Sequence, residues 1–376
     1  MAKRRRRRRV PRLFGITFRL VLTVAAICLM LSYISSYIDP AVFSVPLFFG
    51  LYFIPILIIN FLLFLLAILS RSKSAWIAII ALLPALLFAE RFFRFGSGNE
   101  KEGQTIKIET YNVGKFRMSK NGMAPQQTMD TIFSRIGRCD ADIVCLQEVF
   151  LDSVQLAREI LPQYRWRTFH LFPHQDGRQS GNIIFSKYEI TQGRVLKFKS
   201  SLNLSLYADI VIGEDTLRVY NNHLQSYAIS PTALVQKLRA KKAFSEEVGN
   251  EIINVHNKVR NTVILRSRQV NAVLDNIKKS RFPSIVCGDF NDMPMSYTYH
   301  KLSYGSKDTF RESGKGFSAT YSMLWPLLRI DYIFIPESYT GVSHKTIRDN
   351  FSDHYPVVAE FSFNKNNGVS EDGNQH

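Results

Sequence analysis

The segment SIVCGDFND, residues Ser284–Asp292, decides the fold of this chain, because it joins an apolar strand directly to a cluster of acids and an amide. The run of isoleucine, valine and cysteine favours a buried β-strand, and the glycine with the aspartates and asparagine favours a turn at its end. Polar groups at the carboxyl end of a strand are typical of a site at the edge of a sheet.

Other short β-rich segments that end in polar residues lie on both sides of this one along the chain. They cover Thr105–Val113, Ile143–Leu146, Asn182–Phe185, Leu217–Asn221, Arg329–Ile335 and Val357–Phe361. Helical patterns lie between some of them, notably over Pro231–Val248 and Val259–Lys279. Many strands with few helices predict an α/β (α+β) sandwich with its site at the strand ends.

The residues that can carry chemistry lie at those strand ends. They are Asn112, Glu148, His223, Asp289, Asn291, Asp331, Asp353 and His354. Each one alone is explained as a turn former, a solvated acid or a structural histidine. Burying all of them is costly unless a cation or a hydrogen-bond network receives them. Together they supply what phosphate-ester hydrolysis requires, namely ligands for a hard divalent metal, a base for water and donors for phosphate oxygens.

The ordered motifs TYNV, LQE, SGNIIFS, NNHL, GDFND, ATY, RIDYIF and SDHYPV resemble those of the endonuclease/exonuclease/phosphatase superfamily. The resemblance covers residues 105–363, in family order throughout. It implies a four-layered sandwich of two packed β-sheets flanked by helices. It also implies a metal-dependent hydrolase of ester bonds, with Mg²⁺ as its cofactor and Mn²⁺ as the alternative.

The same resemblance implies roles for the residues of the central cluster. Glu148 would be the main metal ligand, with Asn112 beside it. Asp353 would be either a further ligand or an acid that orients the ligands. Asp289 would activate the attacking water, and Asn291 would hydrogen-bond the phosphoryl oxygens.

Two histidines complete the implied site. His354 would contact the scissile phosphate while Asp331 holds its ring, and an imidazole paired with a carboxylate stays protonated closer to neutrality. His223 would bind phosphate or act as general acid. The residues that would line the substrate cleft are Asn182, Thr320 and Tyr321.

The first quarter of the chain is largely apolar and predicts a membrane anchor of about three helices, at residues 13–38, 41–70 and 74–94. A helix of ~20 apolar residues crosses the ~30 Å hydrocarbon layer, and the first two runs are long enough. The third run, Ala75–Ala89, reaches that length only if its flanking residues lie in the headgroup region.

Charge predicts the direction of insertion. Residues 1–95 hold 13 basic and 2 acidic side chains, and therefore +11 of the total charge of +17. The basic segment 1–12 contains the run Arg4–Arg9, which could be a nuclear address or a nucleic-acid arm but is commonest as a cytoplasmic determinant directly before an apolar helix. The sequence therefore predicts an integral, multi-pass membrane protein. Because the chain crosses the membrane three times from a cytoplasmic amino terminus, its catalytic domain is expected on the extracytoplasmic side. If the third run lies only at the interface, the domain faces the cytoplasm.

The other parts of the chain are a polar linker at 96–104, a catalytic domain at 105–363 and a polar tail at 364–376, which is predicted to be disordered. Within the domain, residues 226–258 form a longer interval than a minimal family member needs. This interval fits a solvated helix pair or, as a hypothesis, a lid that faces lipid headgroups. Its four basic helical residues are Lys237, Arg239, Lys241 and Lys242.

Two functional classes follow from the sequence. The first is a membrane-anchored, Mg²⁺-dependent phosphoesterase whose partners are the lipid bilayer and a phosphate ester: a lipid headgroup, a phosphodiester or a small phosphorylated metabolite. The second is an endonuclease or exonuclease, which usually needs a basic face, and the balance of +6 after residue 95 is modest. A catalytically inactive binding module is disfavoured because every catalytic position is filled. No protein partner can be inferred from the sequence.

Overall fold

The computed structural model describes residues 12–96, 98–100, 103–118, 122–199, 201–227 and 246–363. Three features of the sequence lie outside these residues, namely the basic run Arg4–Arg9, the basic residues within 237–242 and the polar tail 364–376.

The regular elements of the described chain are four helices at the start, followed by strands with helices between some of them. The helices are α1 (Arg12–Ile34), α2 (Val45–Leu51), α3 (Phe53–Leu69), α4 (Ala75–Leu82), α5 (Pro125–Cys139), α6 (Val154–Glu159), α7 (Glu246–Lys278), α8 (Tyr297–Leu302) and α9 (Thr309–Ser313). The strands are β1 (Phe93–Arg94), β2 (Gln104–Asn112), β3 (Ile143–Leu151), β4 (Trp166–Pro173), β5 (Gln179–Ser186), β6 (Glu189–Lys197), β7 (Leu204–Ile212), β8 (Asp215–His223), β9 (Ser284–Asp289), β10 (Ser306–Asp308), β11 (Gly316–Phe317), β12 (Asp331–Pro336), β13 (Tyr339–Thr346) and β14 (Val357–Phe363).

Two six-stranded sheets pack face to face, in the orders β13-β14-β2-β3-β5-β4 and β10-β12-β9-β8-β7-β6. Their inner faces share one apolar cluster that includes Ile108 from the first sheet and Ile285 from the second. The outer face of the first sheet packs on Ile132 of α5, and that of the second packs on Val270 of α7. Each fully buried isoleucine or valine contributes roughly 1.5–3 kcal/mol relative to an exposed one. The predicted sandwich of two sheets flanked by helices is confirmed.

Parallel strand pairs at the centre of each sheet position the site. In the first sheet β2 and β3 run in parallel as far as Asn112 opposite Gln147. In the second sheet β8 and β9 run in parallel as far as His223 opposite Asp289, and β12 begins with Asp331 opposite the same Asp289. The polar ends of these strands therefore meet at one edge of the sandwich.

Several elements were not predicted, and four of these are edge strands of the two large sheets. Strands β4, β6, β10 and β13 lie at the four edges of the two sheets, where one side of the backbone is unpaired and polar side chains are tolerated. The central strand β7 and the helix α5 were also missed. Residues 246–278 form one helix of 33 residues, so the predicted start of a separate helix at Val259 was wrong.

The prediction of three continuous membrane-spanning helices is also corrected. Among the described residues, one continuous helical segment, Gly15–Tyr37, is long and apolar enough to cross a membrane, and a second is counted only if α2 and α3 are taken together across a 70° bend. The bend occurs because Pro55 has no N–H to donate to the carbonyl of Leu51. Pro84 has the same effect after α4, where the chain continues as a 3₁₀ turn at Leu83–Arg91.

The amino-terminal helices nevertheless pack into a bundle. One apolar cluster joins Leu22 of α1 to Ala67 of α3 and to α4. A second joins Leu29 of α1 to Phe53 of α3, to the segment after α4 and to Met295 of the catalytic domain. Because residue numbers rise toward Met295 in α1 and fall toward it in α3, these two helices are antiparallel. The turn that follows α3 lies at the end of the bundle remote from the catalytic domain.

Candidate active site

A sharp turn at the end of β9 places the central carboxylate. Gly288 has φ of 122°, and a Cβ atom at this position would lie 2.0 Å from the carbonyl oxygen of Asn222 on β8. Only glycine fits this close approach of two backbones. The turn presents Asp289 between the ends of β8 and β12.

Asp289 is buried and accepts hydrogen bonds from two asparagines. The amide nitrogen of Asn112 donates to Oδ2 at 2.9 Å, and Asn291 donates from its backbone N–H to Oδ1 at 2.8 Å and from its side chain to Oδ2 at 3.0 Å. Burial raises the pKa of Asp289, with a further contribution from the neighbouring carboxylate of Asp331, although His354 opposes it. A carboxylate with a raised pKa is better matched to accept a proton near neutrality.

Glu148 enters the site from a bulge in β3. The pairing of β3 with β5 shifts between Leu146 and Val149, and Glu148 has φ of 51°, which turns its side chain out of the regular alternation. Burial opposes ionisation of this carboxyl, but the electrostatic interactions with His223 and His354 outweigh it and lower the pKa of Glu148. Its side chain keeps 28% of its surface exposed, so an ionised oxygen faces the cleft.

His354 and Asp331 form a buried pair. The Nδ1 atom of His354 lies 3.0 Å from Oδ2 of Asp331, and Nε2 lies 3.8 Å from Oδ2 of Asp289. Burial alone would lower the pKa of His354, but the carboxylates of Asp331 and Asp289 raise it well above the ordinary value. The imidazole is therefore held in its charged form beside the central carboxylate.

His223 lies opposite His354 and has no such support. Its Nε2 atom is 3.5 Å from Oε1 of Glu148 and 3.9 Å from Oδ2 of Asp289. This nitrogen is buried and has no hydrogen-bond partner in the described chain. A buried polar atom left unpaired costs roughly 1–3 kcal/mol, so it marks the place where a ligand is expected to bind.

The donor atoms fit a hard divalent cation. Glu148, Asp289 and Asp331 bring three carboxylates to one edge, and single atoms of Asp289, Asp331 and His354 lie within 4.8 Å of one another. The Nδ1 atom of His354 is already hydrogen-bonded to Asp331, so the partly exposed carboxylate of Glu148 is the better placed metal ligand.

The other predicted site residues are arranged around this centre. Asp353 lies 3.3 Å from the hydroxyl of Ser352 and adds to the field that raises the pKa of His354. Thr320 is buried, and its hydroxyl accepts from the backbone N–H of Asp331 at 3.1 Å. The ring of Tyr321 lies 5.3 Å from that of His354. These contacts favour orienting roles for Asp353 and Thr320, and a cleft position for Tyr321.

Asn182 lies deeper than its predicted role requires. Its side chain is buried between the sheets, and its amide nitrogen donates to the backbone carbonyl of Asn221 at 3.4 Å. Its contact with substrate stays a prediction.

Arg266 on α7 supports the site but was missed in the sequence. It is fully buried, its Nη1 lies 2.9 Å from Oδ2 of Asp292, and its Nε donates to the carbonyl of Gln225. One side chain thus links the loop after Asn291 to the loop after His223. No local signal reveals such a residue, because its partners lie 26 and 41 positions away along the chain.

Comparisons with known proteins agree with this geometry. Residues 110–354 match the model of the Endonuclease/Exonuclease/phosphatase family, and residues 15–92 match that of a domain of unknown function, DUF8431. No curated protein matches this chain.

Three solved structures illustrate the similarity in fold. An endonuclease/exonuclease/phosphatase from Beutenbergia cavernae is 20% identical, with 69% of this chain and 72% of that one covered and a TM-score of 0.50. A family protein from Bacteroides thetaiotaomicron is 17% identical, with 70% and 100% covered and a TM-score of 0.50. The human Nocturnin catalytic domain is 16% identical, with 69% and 95% covered and a TM-score of 0.50.

The chain belongs to the endonuclease/exonuclease/phosphatase family, because the family match covers well over half of its residues. The prediction that it is a hydrolase acting on ester bonds is confirmed.

Proposed function

We propose that this member of the family is a membrane-anchored, Mg²⁺-dependent phosphoesterase in which Asp289 activates water for attack on the phosphorus of an ester. The observation that carries this proposal is the meeting of Asp289, His223 and His354 at one buried edge, with one imidazole held by Asp331 and the other unpaired. This arrangement supplies a base together with imidazole donors on two sides of a small space.

Asp289 is the base in this account. Its carboxylate takes one proton from water, the water oxygen bonds to phosphorus, and the bond from phosphorus to the leaving oxygen breaks. The three hydrogen bonds from Asn112 and Asn291 fix the carboxylate in place during the proton transfer. A fixed base saves the reorganisation that a mobile one would require.

The two histidines act on the phosphate and the leaving oxygen. His354, kept charged by Asp331, offers Nε2 to the phosphoryl oxygens. His223 offers its unpaired Nε2 either to a phosphoryl oxygen or, as general acid, to the leaving oxygen. Asn291 has its side-chain amide between Asp289 and the carbonyl of Leu224, so a contact with substrate would require this amide to reorient.

A metal ion would add charge to this site. Glu148 would hold it with Asn112 nearby, and when bound a Mg²⁺ or Mn²⁺ ion neutralises phosphate charge and polarises the phosphoryl group. The lowered pKa of Glu148 supports this assignment because a metal ligand must be ionised.

The helical bundle is the proposed anchor. Its outward surface carries exposed apolar side chains such as Leu20, Val24, Leu62 and Leu66, as a lipid-facing surface does. Arg71 follows α3, at the end of the bundle remote from the catalytic domain. We therefore place that end on the cytoplasmic side and the catalytic domain on the other, in line with the excess of basic residues in cytoplasmic loops.

A substrate panel tests the proposal. The full chain, purified in detergent, is offered a phospholipid, a water-soluble phosphodiester, a phosphomonoester, plasmid DNA and RNA, each with and without Mg²⁺. Metal-dependent cleavage of a non-nucleic ester supports the phosphoesterase. Cleavage of DNA or RNA alone would make the chain a nuclease, and no cleavage of any ester would contradict the proposal.

A further inference from the structure

A row of aromatic side chains, three of them exposed and Phe93 half-buried, leads from the helical bundle to the catalytic cleft. Phe93 and Phe95 directly follow the last segment of the bundle, and β1 pairs with β11 so that Phe93 lies opposite Phe317. The ring centroids of Phe93 and Phe95 are 4.8 Å apart, those of Phe93 and Phe317 are 5.0 Å apart, and those of Phe317 and Trp325 are 6.2 Å apart. We call Phe93, Phe95, Phe317 and Trp325 the aromatic ledge.

The ledge ends beside the active site. Met323 lies between the ledge and the cleft, with its sulfur 3.3 Å from the hydroxyl oxygen of Tyr321. Tyr321 in turn contacts the ring of His354. The same chain segment therefore carries the ledge and one wall of the cleft.

The ledge is exposed to an extent that the catalytic fold does not explain. Phe95 is 91% exposed, Phe317 51% and Trp325 43%. Met323 and Leu327 on the same segment are also exposed. Water-soluble surfaces rarely keep so many large apolar side chains together, so a contiguous patch indicates a surface that is normally covered.

The surroundings of the ledge identify what covers it. The patch is continuous along the chain with the apolar bundle, so a membrane that holds the bundle lies beside it. Its composition is aromatic, and aromatic rings are favoured at the boundary between hydrocarbon and headgroups. Arg348 lies over the ring of Trp325 at 5.1 Å, and Arg94 is part of β1, so cations that can pair with lipid phosphates flank the rings.

We propose that the aromatic ledge lies in the headgroup region of the bilayer and opens the cleft toward phosphate esters that are presented at the membrane surface. The substrate class is then an amphiphile whose phosphate ester stands at the interface. This proposal rests on the phosphoesterase function given above and narrows its substrate. It assigns no chemical step to the ledge.

The position of the ledge can be measured without activity. Full-length protein is reconstituted in phosphatidylcholine vesicles whose acyl chains carry bromine at defined depths, which quenches nearby tryptophan fluorescence. The chain has three tryptophans, Trp76, Trp166 and Trp325. In each of three variants, two of these tryptophans are replaced by Phe, so the third is the only fluorescent reporter. A fourth variant has all three tryptophans replaced by Phe and carries Phe95→Trp as its reporter.

We expect shallow bromines to quench Trp325 and the Phe95→Trp reporter at least about twofold more than deep ones, while Trp166 on strand β4 stays unquenched. Absence of quenching at both ledge positions, with Trp76 of the bundle quenched, would overturn the proposal. Such a result would point to a protein or a second copy of the chain as the covering surface.

A second experiment links the ledge to substrate. Phe95→Ser and Trp325→Ser are compared on one ester in two forms, a long-chain phospholipid in vesicles and its short-chain analogue dissolved below micelle formation. Since burial of one aromatic side chain is worth about a tenfold change, we expect turnover of the vesicle form to fall about tenfold and that of the soluble form to stay unchanged. The control Val154→Ser removes an exposed apolar side chain on α6, away from the ledge, and should change neither.

The outcomes separate the two proposals. Equal losses on both forms, or no loss on either, would refute the ledge while leaving the phosphoesterase intact. If neither form is hydrolysed even by the unchanged protein, the phosphoesterase proposal fails on these substrates, and the quenching measurement alone still decides where the ledge lies.

Discussion

The two halves of the catalytic cleft meet at Asp289 but are built differently. On one side His354 is enclosed, its ring is held by Asp331, and its pKa is raised. On the other side His223 has an unpaired Nε2, and Glu148 is partly exposed. We call these the braced half and the open half. In the braced half the protein alone holds the imidazole ring through Nδ1 of His354, whereas in the open half Nε2 of His223 has no hydrogen-bond partner among the described residues.

The largest effect is expected where the two halves join. Asp289→Asn removes the proposed base and should lower turnover about 10²- to 10⁴-fold, because proton transfer by a positioned group contributes on this scale. Initial rates on the ester cleaved by the unchanged protein measure it. Asp275→Asn, which changes an exposed acid on α7, is the matched control and should keep full activity. Near-normal rates in the Asp289 variant would contradict the roles assigned to both halves of the cleft.

The next effect tests the open half. Glu148→Gln keeps the size of the side chain but removes its charge, so we expect turnover to fall about 100-fold and the Mg²⁺ concentration for half-maximal rate to rise. Chelation of the unchanged protein should abolish activity, and added Mg²⁺ should restore it. Full activity after chelation would show that the open half works without a metal.

A smaller effect tests the braced half. Asp331 touches His354 and no reacting atom, so it is a positioning residue, and Asp331→Asn should lower kcat about 10- to 100-fold. In a His354→Ala background the same substitution should cost little more, because the two residues act as one unit. The kcat of the single and double variants measures this coupling. Additive losses would show that Asp331 does not act through His354.

The smallest effect concerns His344, a histidine that is as buried as His354 but lacks a carboxylate on its ring. Its Nδ1 lies 2.8 Å from the hydroxyl of Thr309, and burial, followed by the charge of Arg329, lowers its pKa to about 3. In the unfolded chain a histidine has a pKa of about 6.5. Between these two pKa values the unfolded state binds one more proton than the folded state. The contribution of His344 to the free energy of unfolding is therefore fully present above about pH 6.5 and falls by up to ~1.4 kcal/mol per pH unit below it.

We therefore expect His344→Gln to flatten the acid dependence of stability. Urea midpoints at pH 7 and pH 5 should differ less in this variant than in the unchanged protein, by the equivalent of about 2 kcal/mol. His174→Gln, at an exposed position, should keep the original difference. An unchanged pH dependence in the His344 variant would show that this histidine is not held neutral by the fold.

The meeting of the cleft residues at one edge of the sandwich was predictable because they lie at strand ends. Asp289 and Asp331 occur where an apolar run meets a polar turn, and this change is visible within a few residues. Arg266 was not predictable, because its role depends on contacts that only the folded chain creates. The edge strands were missed for a related reason, since one unpaired side lets polar residues interrupt the apolar pattern.

In the amino-terminal quarter the positions of the apolar segments were predictable, but the shapes of the helices were not. Hydropathy located every apolar run, but counting apolar residues does not register the hydrogen bonds that Pro55 and Pro84 remove. The bend after α2 and the 3₁₀ turn after α4 are the result. Hydropathy also gave no sign that Met295 of the catalytic domain packs into the bundle, which ties the loop after Asn291 to the amino-terminal helices.

The oxygen of the attacking water reports directly on which bond of the ester breaks. The full chain hydrolyses its ester in water enriched in ¹⁸O, and mass spectrometry determines which product carries the label. Attack of Asp289-activated water on phosphorus predicts one ¹⁸O atom in the phosphate product of the unchanged protein, and a labelled product from Asp289→Asn that forms more slowly by the same factor as its loss of turnover. Label in the alcohol product would place the broken bond at carbon and contradict the account.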